Sequence, residues 1–310
     1  MLDSLHIKNF RCFEDLTIES LGRVNLVVGK NSVGKTTLLE AIYIFANGGH
    51  STIVKEILHR RNDFSGEIFH IQSTEKSSFI GEAFDGQGVY IYEDEQGKIR
   101  RTRNIKLKKN TISKLPNEHP NSFIHTEVQS ESDLAYLWDD AAINSDDEEI
   151  KESLKIINKD LTNLIFIDPI KKDHDRIAIV KIKNKSKGIP LKSLGEGMSR
   201  LLQIFLHAFQ ARGGYLIIDE FENGLHYSIQ EEVLDKLFKL AKELDIQVFA
   251  TTHSEDTIKA FCKVTLASEE EGRLIALGRS PASEDNGRIV AVSYDEKEIA
   301  VISRTGMEIR

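Results

Sequence analysis

The stretch Gly29-Lys30-Asn31-Ser32-Val33-Gly34-Lys35-Thr36 limits what this chain can fold into more than any other. It fits the P-loop spacing G-x-x-x-x-G-K-[ST], and each fixed position has a physical reason. Gly29 and Gly34 let the backbone approach phosphate closely and take positive φ without a Cβ penalty. Successive N–H groups of the loop, and of the helix it opens, then cradle the β- and γ-phosphates. Lys35 places a compact charge on those oxygens, and the Thr36 hydroxyl ligates Mg2+. The context agrees. Val24, Leu26, Val27 and Val28 read as a buried strand, and Leu38, Leu39, Ile42, Phe45 and Ala46 recur at helical spacing until Asn47-Gly48-Gly49. The expected contacts to ATP are Gly29, Lys30, Asn31, Ser32, Val33, Gly34, Lys35, Thr36 and Thr37.

A chain of 310 residues, 40% hydrophobic and 29% charged, has core enough for one large α/β domain or two modest ones. The opening Met1 to Phe10 alternates like a strand and lacks the n- and h-regions of a signal peptide. No run of 18 apolar residues predicts a membrane helix. Cys12 and Cys262 stand alone, which favours a reduced, cytoplasmic setting. A net charge of −8 argues against a general nucleic-acid-coating protein.

Alternation points to two strands over 2–10 and 14–19, and helical spacing to a helix over 50–61. Between 66 and 109 the period is two, with Asp85-Gly86 and Gln96-Gly97 as turns, so a small antiparallel sheet is expected. Residues 110–121 read as a loop, 131–163 as helical with an acidic start at Asp146, and 164–191 as a strand pair. The α/β pattern then returns as helix 198–211, strand 215–218, helix 228–244 and strand 246–251. Such alternation means a parallel sheet with covering helices. The expected division is an N-terminal ATPase part (1–49), an inserted β-rich and helical region (50–190), and a C-terminal ATPase part (191–310).

Tyr215 to Ile218 is an apolar strand ending in Asp219-Glu220, a Walker B pattern. Asp219 can hold Mg2+ through water and complete what Thr36 begins. Glu220 is placed to polarise a water for in-line attack. One strand further on, His253 follows Phe249 to Thr252 at the carboxyl edge where α/β sheets bind ligands. It can hydrogen-bond the γ-phosphate or the attacking water. The candidate catalytic residues are thus Glu220, His253 and Lys35, with Thr36 and Asp219 on the metal.

Walker A, Leu216-Ile217-Ile218-Asp219-Glu220 and Thr251-Thr252-His253-Ser254, in this order, resemble the ABC-type ATPases, including the SMC and RecF branch. The wording Asp219 to His226 with Ala250 to Ser254 is most similar to the OLD-like ATPases, as are the opening Ile7 to Arg11 and the ending Gly306 to Arg310. The resemblance implies an ABC-ATPase-like mixed sheet and sites formed between two protomers. It makes Ser193-Leu194-Gly195-Glu196-Gly197-Met198-Ser199-Arg200 the signature loop, with Ser193, Gly195 and Gly197 reaching the partner's nucleotide. Glu196 and Met198 depart from the usual wording there. The same resemblance places 222–226 at the dimer seam, brings Arg11 toward the nucleotide, and makes Gln129 the Q-loop candidate on the metal. The Toprim nuclease domain of OLD nucleases and the long arms of SMC proteins have no counterpart in this sequence.

Two basic stretches remain. Residues 98–109 hold seven Lys or Arg, and Lys181, Lys183, Lys185 and Lys187 repeat at period two, as on one strand face. Solvent-facing strands that resist edge aggregation are favoured over nucleic-acid contact. The leading expectation is an ATP- and Mg2+-dependent switch that forms a homodimer or higher oligomer and drives a separate effector protein, in phage defence or DNA repair, without a membrane. An ATP-bound scaffold with negligible turnover is the alternative, and a P-loop kinase a weaker third.

Overall fold

The computed structural model describes residues 1–61, 77–84, 87–94, 96, 98–104, 118–127, 129–168, 176–282 and 287–305. Strands β1 (Leu5–Phe10) and β2 (Phe13–Ile18) form an antiparallel hairpin, turned at Arg11 with φ 50. β3 (Val24–Val28) is buried at every residue and runs through the P-loop into α1 (Lys35–Ala46). Gly48 and Gly49, both at positive φ, return their N–H groups to Phe45 and Ile44 and end that helix. α2 (Ser51–Arg60) follows, then the antiparallel β4 (Ser77–Gly81), β5 (Gly88–Glu93) and β6 (Ile99–Asn104). Next come β7 (Asn121–Ile124), α3 (Glu131–Ile143), α4 (Asp147–Leu154), β8 (Leu161–Ile167), β9 (Ile177–Ile182) and the short β10 (Ile189–Pro190). The C-terminal part is α5 (Glu196–Gln210), β11 (Tyr215–Ile218), α6 (Tyr227–Glu243), β12 (Gln247–Thr251) and α7 (Glu255–Ala267). It closes with β13 (Gly272–Arg279), β14 (Ile289–Tyr294) and α8 (Glu296–Thr305).

The central sheet has the order β14-β13-β3-β12-β11-β7. Five of its strands are parallel and β14 is antiparallel at the edge. Parallel strands buried on both faces send alternate residues to opposite cores. Leu216 and Ile218 of β11 join a core with α5, α6 and α7, while Tyr215 and Ile217 join another with α1 and the second sheet. That second sheet, β2-β1-β4-β5-β6, covers α1 from outside, and α1 touches both β11 and β4. A helix held between two sheets is apolar nearly all round, and α1 buries nine of its residues, Lys35 and Glu40 among them.

The α/β mixed-sheet fold expected from the sequence is the observed one, with the P-loop strand and both later α/β strands in one sheet. The 50–190 stretch serves three sheets at once. β4 pairs with β1, β7 forms the edge beside β11, and β8 and β9 belong to a third sheet packed with α3 and α4.

Three local readings are corrected. The helical reading of 131–163 breaks at Ser145, with φ 65, and ends before β8 begins at Leu161. The lysine repeat is not one strand face: β9 ends at Ile182, so only Lys181 lies on a strand, and the others occupy the turn that Asn184 makes at φ 64. Beyond residue 251, where the sequence reading assigns no strand, β13 lies beside β3 as an interior strand of the central sheet. Asp85-Gly86, Gly97, Lys106, Lys108, Lys109 and the ending Gly306 to Arg310 lie outside the described residues.

Candidate functional site

The carboxyl ends of β3, β11 and β12 bring the separate motifs to one place. The P-loop leaves β3 with Gly29 at φ 146 and Gly34 at φ 91, and α1 starts one residue later. A Cβ at Gly34 would lie 2.7 Å from Cys12 Sγ and 2.8 Å from Phe13 Cζ, so the β1–β2 hairpin fits only a glycine there. Lys35 is buried, and its Nζ donates to the carbonyls of Gly29 and Lys30 at 2.8 and 3.0 Å. Burial lowers its pKa from the ordinary value, against the opposing pull of Asp219, Glu220 and Glu222.

Asp219 is the junction. Its Oδ2 accepts the Thr36 hydroxyl at 3.0 Å and its Oδ1 accepts the Thr251 hydroxyl at 2.6 Å. The Thr251 oxygen in turn accepts the Glu220 N–H at 2.9 Å. Walker A, Walker B and the strand before His253 are thereby joined through one buried carboxylate. Glu220 is partly exposed, with φ 50, and His253 Nε2 lies 3.8 Å from its Oε1. Behind it, Glu222 Oε1 accepts the His253 N–H at 2.7 Å.

These groups suit a Mg2+-nucleotide. A hydroxyl and a carboxylate oxygen 3.0 Å apart are hard donors of the type Mg2+ takes, with further ligands drawn from water and phosphate. Among the described residues no group of three or more His, Cys, Asp and Glu could hold a metal ion. Positive-φ Gly29, Ser32 and Gly34 turn successive N–H groups into a concave anion cradle before the N-terminus of α1.

The remaining sequence candidates are placed as follows. The Thr37 hydroxyl is buried against the Cys12 thiol. Arg11 lies 3.6 Å from Glu40, one turn along α1 from Thr36, and Glu40 also accepts Arg61 Nε at 2.7 Å. Gln129 Oε1 is engaged at 2.7 Å with His207 Nε2. Ser193 and Gly195 are exposed on the turn that opens α5, and among the described residues neither bonds to Lys35, Thr36 or Asp219. Gly197 packs against the Gly224 carbonyl, so the 193–198 loop and the 222–226 loop are neighbours. Glu196 lies alongside Gly224, turned toward that second loop.

Sequence reasoning missed Thr251 and Arg200. Thr251 was in view only as a neighbour of His253. Arg200 is wholly buried, and its guanidinium reaches the carbonyls of His125, Asp219 and Glu220 at 3.0 Å each. In the sequence it closes the signature stretch Ser193 to Arg200, where it was given no role of its own.

The profile of the family described as "AAA domain, putative AbiEii toxin, Type IV TA system" matches residues 24–258, more than half of the chain. The chain belongs to this family. It is similar to an ATP/GTP phosphatase of Helicobacter pylori, 26% identical over 330 aligned positions that cover 85% of this chain and 88% of that protein. A local match of 68 residues to the DNA replication and repair protein RecF of Bacillus cytotoxicus is 37% identical and spans 22% of this chain and 18% of that one. Among solved structures, an SMC head bound to the C-winged helix domain of ScpA superposes with TM-score 0.63 at 13% identity, covering 97% of this chain and 99% of the other. The SMC head domain of Thermotoga maritima gives 0.53 at 14% identity, covering 95% and 99%. The fold is that of the ABC-type P-loop ATPases.

Proposed function

We propose that this chain binds and hydrolyses ATP with Mg2+, dimerises around the nucleotide, and passes that state to a separate effector protein. The observation that carries the reading is the chain of bonds Thr36–Asp219–Thr251–Glu220, which links the P-loop to a carboxylate free to face solvent. When bound, Mg2+ supplies charge neutralisation on the phosphate oxygens. Lys35 binds the same oxygens, Glu220 accepts a proton from the attacking water, and His253, 3.8 Å from Glu220, orients that water or the γ-phosphate. Gln129 would join the metal only after leaving His207.

Support for the dimer is the adjacency of the 193–198 and 222–226 loops on one face, which would meet a second copy together. Glu196 Cγ lies against Gly224, between the two loops. The OLD-like placement, the effector and a role in phage defence or DNA repair rest on likeness of wording in the motifs. None of the described helices is long and apolar enough to cross a membrane.

The test is light scattering with and without Mg2+-ATP. Glu220→Gln keeps the shape of the side chain and traps ATP, so it should accumulate an ATP-dependent dimer. Asp219→Asn weakens the metal site and should not. A Glu220→Gln protein that stays monomeric would reject the dimer. Failure of the wild type to hydrolyse in a single turnover would favour the scaffold reading.

A further inference from the structure

The fixed part of Glu220 is its backbone. β7 and β11 run parallel as far as Ile124 and Ile218, Asp219 N–H closes the last bond to the Ile124 carbonyl, and there the ladder stops. Beyond that point Glu220 stands at φ 50, a left-handed conformation that L-residues avoid. Both of its backbone polar groups are bonded to other residues. The N–H goes to Thr251 Oγ1, and the carbonyl accepts Arg200 Nη2 at 3.0 Å as well as the N–H of Asn223. The same Nη2 takes the Asp219 carbonyl, and Nη1 takes the His125 carbonyl at the end of β7.

We propose that Arg200 is a positioning residue for Glu220: it holds the Glu220 peptide in its left-handed turn and ties it to the helix opened by the Ser193–Gly197 loop. This rests on the reading of Glu220 as the group that activates water. Three carbonyls at the splayed ends of two strands require donors spread across a rigid plane, which a guanidinium offers and an ammonium does not. The stem of Arg200 packs under Gly224, in the second of the two loops that would face a partner. Burial lowers the pKa of Arg200 to about 10, which leaves it charged at neutral pH. A buried charge is a poor source of stability, and replacing such groups by apolar ones is often neutral. What this one adds is geometry. Arg200 lies one turn into α5 from Glu196, so a shift of the exposed loop is transmitted to the Glu220 peptide with little slack.

The experiment compares ATP affinity by calorimetry and single-turnover hydrolysis for the full chain and for Arg200→Lys, Arg200→Gln, Glu220→Gln and the double variants. Arg200→Lys and Arg200→Gln should each slow hydrolysis about 10–100-fold, the effect of a misplaced catalytic group. ATP affinity should stay within about threefold of the wild type, because the P-loop is untouched. In the Glu220→Gln background the Arg200 substitutions should cause no further loss, since Arg200 acts only through Glu220. Arg200→Gln removes the buried charge while keeping two amide donors, and serves if the lysine variant does not fold. Losses that multiply, or unchanged hydrolysis in a folded Arg200→Gln, would overturn the assignment while leaving the base in place. Wild-type hydrolysis in Glu220→Gln alone would instead remove the base, and the Arg200 assignment with it.

Discussion

The two sides of the candidate site are built in opposite ways. The P-loop side holds itself: Lys35 reaches the carbonyls of Gly29 and Lys30, Leu38 N–H closes on Gly34, and glycines supply the positive φ. The β11 side is held by side chains from other elements, with Thr251 below Asp219 and Glu220 and Arg200 across their carbonyls. A self-held loop needs only its own residues in the right order. A loop held from outside needs the whole topology before any one residue makes sense.

The comparison predicts that the sides fail differently. On the β11 side, Glu220→Gln should lower hydrolysis about 10²–10⁴-fold with ATP affinity unchanged, as loss of a general base does. Equal loss of affinity would show that the two sides are not separable. The next largest effect is steric. Gly34 and Gly195 both sit at positive φ, 91 and 98, but a Cβ at Gly195 meets nothing within 4 Å, whereas one at Gly34 strikes Cys12 and Phe13. Both alanine variants pay backbone strain of about 1–3 kcal/mol. Gly34→Ala should be worse by a further 1–3 kcal/mol, approximately the toll of overpacking. Urea unfolding of the two variants measures that difference, and equal losses would mean that the hairpin gives way.

Smaller again is Lys35→Ala. It removes a charged hydrogen-bonding group worth about 1.5–3 kcal/mol, or roughly 10–150-fold in ATP affinity. Calorimetry on the folded variant checks it, and unchanged affinity would remove the P-loop from nucleotide binding.

What was legible in the sequence follows the same division. The P-loop, β3 and α1 are written in one stretch, and their spacing alone carries the geometry. Asp219 and Glu220 were legible as a strand end, but not the αL turn at Glu220, because Thr251 and Arg200 arrive from 31 and 20 residues away. β13 was missed for a related reason. Its apolar centre, Leu274-Ile275-Ala276-Leu277, is short and flanked by Glu269, Glu270, Glu271 and Arg273, so it reads as surface until β3 is beside it. The lysine repeat misled in the other direction, since period two continued past Ile182 where the strand had ended.

The smallest effect concerns pH, and it acts only on the externally held side. His207 lies two turns beyond Arg200 on α5, buried between the Ser122 hydroxyl and Gln129. Burial, with Arg200 and His125 facing it, lowers its pKa to about 4. His125, beside the Arg200 fork, is lowered to about 4 by burial and Arg60, against Asp219. Both rings are therefore neutral in the fold and protonate near 6.5 when unfolded. Below that pH the unfolded chain binds protons that the folded chain refuses, so stability is full above about 6.5 and falls as pH drops toward 4. Between pH 7 and 6 the loss is under about 1 kcal/mol for each histidine. Urea unfolding at the two pH values should show this slope, and His207→Gln should remove about half of it whatever the variant does to absolute stability. A slope unchanged in His207→Gln would mean that the link between α5 and Gln129 does not depend on a neutral imidazole.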